Sequence, residues 1–173
     1  GSAFLVTAYH AYDLGIMARV AGTLNRPADA ARFQERYEQR KAFFNATFVK
    51  ADTQTAYAVG LGMGLFSAEH QADMVRRLAE SVSRENTDDG GAVRPRFSLM
   101  TGFIGTAWIS KALSQHGLGG LAYRLLHNDQ YPSWLYAIDQ GATSIWERLN
   151  GYTVENGFGG NNSMNSFNHY SFG

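Results

Sequence analysis

A helical hairpin is predicted by two segments, AFLVTAYHAYDLGIMARVAGTL (residues 3–24) and PADAARFQERYEQRKAFFNATF (residues 27–48). The first segment is apolar on almost its whole circumference, which is typical of a helix buried on several sides. Asn25 and Pro27 favour a helix cap followed by a new helix, because proline is preferred at the first helical position. The second segment carries one aromatic stripe opposite a charged face, formed by Phe33, Tyr37, Phe44 and Phe48.

The same alternation of buried and surface helices continues along the chain. It comprises an apolar segment at 53–66, an amphipathic helix capped by Ser67, a loop through 88–91, an apolar segment at 103–113, a mixed helix at 118–127 and an apolar segment at 134–138. The glycines of residues 60–64 lie inside a helix-like run with no preceding strand, which favours close helix packing over phosphate binding. Residues 150–173 form a glycine- and asparagine-rich loop. The pattern predicts an all-α fold, either part of an (α/α) toroid or an irregular helical bundle.

Composition excludes several classes of protein. The 173 residues carry fifteen basic and fifteen acidic side chains, so the formal net charge is zero and no excess positive charge is available for nucleic acid. The chain contains no cysteine, which excludes disulfides, thiol catalysis and Cys-ligated zinc. Aromatic residues reach 13% while charged residues make up only 17%, against about 25% in ordinary soluble domains. This composition predicts either a core that is unusually large for the length or an apolar surface that contacts a partner.

No membrane, cofactor or metal partner is expected from the sequence. No run of about 18 uncharged apolar residues is present, as a membrane span would require. The opening residues lack the basic region and cleavage pattern of a signal peptide, so we expect a cytoplasmic protein. The five histidines show no ligand-type spacing, and no metal site or cofactor is predicted.

Two segments combine aromatic rings with single polar groups, as a sugar site requires: residues 131–147 and 164–170. Glu147 follows Trp146 in an apolar context, where partial desolvation would tune an acid or base. The alternative is that Glu147 pairs with Arg148 or caps a helix. Similarly, His169 binds a substrate hydroxyl or anchors the loop to a backbone carbonyl.

Seven stretches of the chain together carry a resemblance to a known family. They are residues 7–14 (TAYHAYDL), 52–58 (DTQTAYA), 101–106 (TGFIGT), 121–126 (LAYRLL), 131–134 (YPSW), 139–148 (DQGATSIWER) and 165–170 (NSFNHY). In family order and over nearly the whole chain, they resemble the C-terminal part of the catalytic domain of bacterial α-L-rhamnosidases. These are six-hairpin glycosidases with an (α/α)6 barrel, and the length here predicts about half of such a barrel.

The resemblance implies a site and a mechanism. The family hydrolyses terminal α-L-rhamnosides with inversion, using an acid and a base about 6.5–9.5 Å apart. It implies that Glu147 is the general base and that His169 binds the substrate. Trp134 and Trp146 are expected as aromatic walls, and Asp139 is expected to position the Glu147 loop.

One family motif has no counterpart in residues 1–173. The general acid of the family belongs to an acidic, Trp-containing motif that this sequence lacks. We therefore expect one domain, residues 1–173, that is a truncated part of the barrel and is inactive alone. Exposed helix faces would favour a homodimer that completes the half barrel. The alternative function is a non-catalytic carbohydrate-binding or structural helical module.

Overall fold

The computed structural model describes residues 2–159 and 165–169 of the chain, and this part contains seven helices and one two-stranded sheet. The elements in chain order are α1 (Ser2–Thr23), α2 (Pro27–Phe48), α3 (Gln54–Gly62), α4 (Ala68–Ser83), β1 (Asn86–Thr87), β2 (Val93–Arg94), α5 (Phe103–Gln115), α6 (Gly119–Leu126) and α7 (Trp134–Asp139). The prediction of a helical fold is confirmed, and the predicted helix positions agree with the observed ones to within a few residues.

Six of the helices form three successive hairpins in two layers. Within each hairpin, α1 packs on α2, α3 on α4 and α5 on α6. Helix α3 contacts both α1 and α5, while α4 contacts α6, so α1, α3 and α5 form the inner layer. This is the predicted order of inner and outer helices.

The turn between α1 and α2 ends one helix and begins the next. Asn25 has a positive φ of 54° and follows the end of α1. The N–H groups of Asn25 and Arg26 donate to the carbonyls of Gly22 and Ala21, which is the Schellman pattern of a helix C-terminus. The N-cap of α2 is Arg26, followed by Pro27. Asn25 therefore ends α1, and the prediction that it caps α2 is wrong.

Helix α3 is the most deeply enclosed element, and its glycines allow aromatic rings to approach its backbone. A Cβ at Gly60 would lie 2.3 Å from the Phe66 ring, and one at Gly62 would lie 2.8 Å from the Trp108 ring. No ordinary Cβ contact is that short, so the rings occupy space that only glycine leaves open. The prediction of close packing is confirmed for Gly60 and Gly62. Gly64 follows the end of α3 with a φ of 69°, and no atom lies within 4 Å of an added Cβ there.

Helix α1 is buried on one side only. Ala8 and Ala11 are fully buried, whereas Val6 is 68% exposed and Met17 is 44% exposed. The prediction of burial on several sides is wrong for the described chain, because α2 and α3 cover only part of the helix. An apolar stripe on α1 consequently faces solvent.

The loop predicted at 88–91 is the tip of a short β-hairpin. Asn86 pairs with Arg94 and Thr87 pairs with Val93 in antiparallel register. The side chain of Asp88 shapes the tip, since its Oδ1 accepts hydrogen bonds from the N–H groups of Gly90 and Ala92, both at 2.9 Å.

Candidate active site

A cavity of about 830 Å³ opens where α3 and α5 begin. Residues 52–54 and 101–103, which lead into these two helices, line one part of it. The end of α4 and the β-hairpin line a second part, and residues 147–150 line a third. Three regions far apart in sequence thus meet around one space, and Glu147 is among the residues that line it.

Glu147 and His169 are brought together by two paired segments. The N–H of Glu147 donates to the carbonyl of Ser166 at 2.8 Å, and the N–H of His169 donates to the carbonyl of Ile145 at 2.7 Å. The hydroxyl of Ser144 also donates to the carbonyl of Phe167 at 2.6 Å. These bonds fix residues 144–147 against residues 166–169.

The Glu147 carboxylate lies beside the His169 imidazole. Its Oε2 accepts a hydrogen bond from the N–H of Ser166 at 2.9 Å and is 4.0 Å from Nδ1 of His169. Both side chains are about one-quarter exposed, at 21% for Glu147 and 28% for His169. The carboxylate is therefore oriented by the chain and remains accessible to a ligand.

Among the described residues, the side chains of Glu147 and His169 do not make the purely structural contacts considered as alternatives. Within the described ranges, the Glu147 carboxylate forms no ion pair with Arg148 and caps no helix. The backbone of His169, rather than its ring, anchors the loop to a carbonyl. The imidazole packs edge-on against Phe103 with the ring centroids 5.7 Å apart, and Phe103 itself is 42% exposed. The catalytic and binding roles of Glu147 and His169 stay predictions.

The two predicted aromatic walls lie at a smaller cavity. Trp134 begins α7 and lines an apolar space of about 260 Å³ together with Trp146. Trp146 is only 8% exposed, and its ring packs edge-on against Phe167 at 5.4 Å. Asp139 is exposed at the end of α7 and is not among the described residues that line the larger cavity. The roles predicted for Trp134, Trp146 and Asp139 stay predictions.

A second carboxylate in the larger cavity is held by a buried tyrosine. The Tyr57 hydroxyl, on a side chain only 1% exposed, donates to Oδ1 of Asp52 at 2.6 Å. Burial, and next the hydrogen bond to Asp52, raise the pKa of Tyr57. The phenol consequently stays protonated and keeps its donor. Sequence reasoning gave Asp52 no role, although it lies in one of the family-like stretches.

The β-hairpin contributes an ordered charged cluster to the same cavity. Arg94 forms an ion pair with Asp88, and its guanidinium lies 4.6 Å from the ring centroid of Tyr131. The hydrogen bond from Arg94, and next that from the N–H of Ala92, lower the pKa of Asp88. Burial raises the pKa of Tyr131. The sequence does not indicate this cluster, because only its DDGG turn leaves a recognisable signal.

Residues 2–173 match the bacterial alpha-L-rhamnosidase six-hairpin glycosidase domain. The chain belongs to this family. The resemblance inferred from the seven stretches is confirmed, and so is membership in a group of glycoside hydrolases. The three helical hairpins are therefore part of a six-hairpin fold.

Curated relatives support the same assignment. An alpha-L-rhamnosidase of Formosa agariphila is 37% identical over 96% of this chain and 18% of its own length. One from Streptomyces avermitilis is 36% identical over 98% of this chain and 16% of its own length. The chain thus spans less than one-fifth of these relatives.

Solved structures show the same fold over nearly the whole chain. The crystal structure of Streptomyces avermitilis alpha-L-rhamnosidase complexed with L-rhamnose gives a TM-score of 0.83, with 32% identity over 98% of this chain and 16% of that one. The alpha-L-rhamnosidase of Aspergillus terreus gives 0.80, with 28% identity over 94% of this chain and 18% of that one.

None of the helices in the described residues combines the length and the apolar character that crossing a membrane requires. In the same residues, no group of three or more His, Asp or Glu side chains has the geometry to hold a metal ion.

Proposed function

We propose that this chain supplies the general-base side of an inverting α-L-rhamnoside hydrolase. The observation that carries the proposal is the placement of the Glu147 carboxylate beside His169 at the edge of the larger cavity. Family membership and the rhamnose complex of the Streptomyces avermitilis relative support a rhamnose-containing substrate. A carboxylate fixed by a backbone N–H and open to solvent suits a base that activates water.

In this mechanism Glu147 takes a proton from a water molecule, whose oxygen attacks the anomeric carbon of the rhamnoside. The bond to the leaving-group oxygen breaks on the opposite face of the sugar, and an acid protonates that oxygen. His169 binds a sugar hydroxyl, Trp134 and Trp146 form aromatic walls, and Asp139 positions the Glu147 loop. The acid is the one role for which the sequence has no motif.

The chain alone is expected to bind L-rhamnose without turning over p-nitrophenyl α-L-rhamnoside. Loss of general-acid assistance costs about 10²–10⁴-fold in rate. Binding is measured by tryptophan fluorescence and release of p-nitrophenol by absorbance.

His169→Ala should weaken rhamnose binding about tenfold, because a hydrogen bond to the sugar is lost. Glu155→Gln, at an exposed loop position, is the control.

Two results would contradict this proposal in different ways. Turnover by the chain that Glu147→Gln abolishes would refute its inactivity while supporting the role of Glu147. An absence of rhamnose binding, unchanged by His169→Ala, would refute the sugar site itself.

We also propose that two copies associate through the exposed face of α1. Three hairpins make half of a six-hairpin ring, so a second copy would supply three more through an isologous contact. The apolar side chains exposed on α1 support this assembly.

A further inference from the structure

The hairpin side of the larger cavity is entirely polar. Its lining there consists of residues 84–89 and Arg94, with no apolar side chain among them. The apolar lining residues, including Leu99 and Phe103, lie instead toward the start of α5. One cavity therefore has a mixed region near Glu147 and a hydrophilic region at the hairpin. A ligand spanning both would meet two different chemistries.

Arg94 is held in a fixed orientation within the hydrophilic region. Its Nε donates to Oδ2 of Asp88 at 2.7 Å, and its Nη2 pairs with the same carboxylate oxygen. The ring of Tyr131 covers one face of the guanidinium at 4.6 Å. Among the described residues, no acceptor binds Nη1, and the side chain is 22% exposed. A rigid donor is thus available at the cavity without further ordering of the side chain.

Asp88 is fixed as firmly as Arg94. One carboxylate oxygen accepts the N–H groups of Gly90 and Ala92, and the other accepts Arg94. Because the carboxylate already accepts four donors, it orients the guanidinium rather than binding a ligand itself. Nη1 of Arg94 is left to donate to the hydroxyl oxygens of a ligand. Aromatic ligands, by contrast, gain most of their affinity from apolar surface, which residues 84–89 and Arg94 do not offer. The neighbouring Tyr131 ring already packs against the Arg94 guanidinium and the Tyr136 ring.

The cavity has room for more than one sugar ring. Its volume of about 830 Å³ is near the upper end of the range found for drug-sized ligands, about 300–1,000 Å³. In an inverting reaction the leaving group lies on the face of the sugar opposite the base. A rhamnose beside Glu147 would therefore direct its leaving group away from that carboxylate.

We propose that the β1–β2 hairpin binds the leaving group through Arg94, which Asp88 holds in place, and that this leaving group is a saccharide rather than an aromatic aglycone. The inference rests on the proposed function, because it places the rhamnose at Glu147. It adds a second binding region, formed by residues to which the proposed function gives no role. It also favours rhamnosides of saccharides over rhamnosides of aromatic aglycones.

The test compares three ligands by isothermal titration calorimetry on the full chain. They are methyl α-L-rhamnoside, a rhamnosyl-glucose disaccharide and p-nitrophenyl α-L-rhamnoside. The disaccharide should bind about tenfold more tightly than the methyl glycoside, because the added sugar gains charge-assisted hydrogen bonds. The aryl glycoside should show no such gain. Arg94→Met should remove the advantage of the disaccharide and leave the affinity for the methyl glycoside unchanged.

Arg96→Met is the matched control, since Arg96 is exposed, lies two residues away and is not among the lining residues. It should bind all three ligands like the unchanged chain. Asp88→Asn is the second variant, because the amide oxygen can still accept the backbone N–H groups of the turn while the charge is lost. Circular dichroism checks that each variant keeps its helical content.

Equal affinity of the unchanged chain for disaccharide and methyl glycoside would overturn the inference while leaving the proposed function intact. The same conclusion would follow if Arg94→Met and Asp88→Asn both left the disaccharide advantage in place. Failure of all three ligands to bind would overturn the proposed function together with the inference.

Discussion

Gln54 is the residue that ties the floor of the larger cavity to the helices around it. Its side chain is 3% exposed, and its amide nitrogen donates to the carbonyls of Ser81 and Ser98. Its amide oxygen accepts the N–H of Met100 at 3.0 Å. One side chain at the start of α3 thereby joins the end of α4 to the segment that leads into α5.

We expect Gln54→Glu to lower the free energy of unfolding by about 2–3 kcal/mol, because two buried carbonyls lose their donor and face a carboxylate instead. Urea denaturation followed by circular dichroism measures the change. Gln71→Glu is the matched control, since Gln71 is exposed near the beginning of α4, where a negative charge is favourable. Equal stability of the two variants would show that the Gln54 bonds contribute little.

Among single residues, the sequence predicted a role only for those that lie in recognisable motifs. Glu147 and His169 were selected because aromatic and polar residues surround them, and their proximity agrees with that prediction. Gln54 and Arg94 could not be selected. The partners of Gln54 are 27 to 46 residues away, and Arg94 depends on Tyr131 across a turn of the fold. Contacts of that kind leave no local pattern in the sequence.

Among the helices, α3 shows how glycine lets the segment that follows a helix pack close against that helix. The ring of Phe66 lies where a side chain at residue 60 would begin. A larger residue at position 60 would therefore displace Phe66, which packs against Phe44 at 5.6 Å. A substitution at residue 60 of the inner layer would therefore also disturb the packing of α2.

Gly60→Ala should destabilise the chain by about 1–3 kcal/mol through overpacking. Gly120→Ala is its matched control, because Gly120 lies in α6 with nothing within 4 Å of an added Cβ. That substitution should raise stability by about 0.4–1 kcal/mol, since alanine restricts the unfolded chain. Thermal and urea unfolding distinguish the two signs, and a stable Gly60→Ala variant would contradict the packing argument.

Helix bounds were more predictable than irregular elements. Hydrophobic periodicity and proline placed α2 at its observed bounds. Ser67 lies at the predicted N-cap of α4, but its hydroxyl makes no cap bond; its backbone N–H donates to Asn45 instead. The β-hairpin escaped prediction because its strands have only two residues each, too few to show alternation. In addition to the strand pairing, the Asp88 side chain bonds the N–H groups of the turn and Arg94.

For the molecule as a whole, the exposed face of α1 is the feature that its own three hairpins do not explain. Met17 and Val20 are 44% and 43% exposed. Val6 extends the stripe toward the start of the helix, and Leu24 continues it just past Thr23. One acidic residue, Asp13, interrupts it. A largely apolar face of this kind on a neutral protein favours association with another apolar surface.

The chain should therefore form dimers of about twice 19.1 kDa at micromolar concentration, as measured by sedimentation velocity. Met17→Glu combined with Val20→Lys should shift it toward monomer, because burying those charges in an apolar contact is unfavourable. Val154→Lys, at a residue 71% exposed on a loop, is the control and should leave the dimer unchanged. The proposal would be contradicted if the unsubstituted chain sedimented only as monomer. It would also be contradicted if the α1 double variant still formed dimers to the same extent. In either case the α1 stripe would not join two copies of this chain.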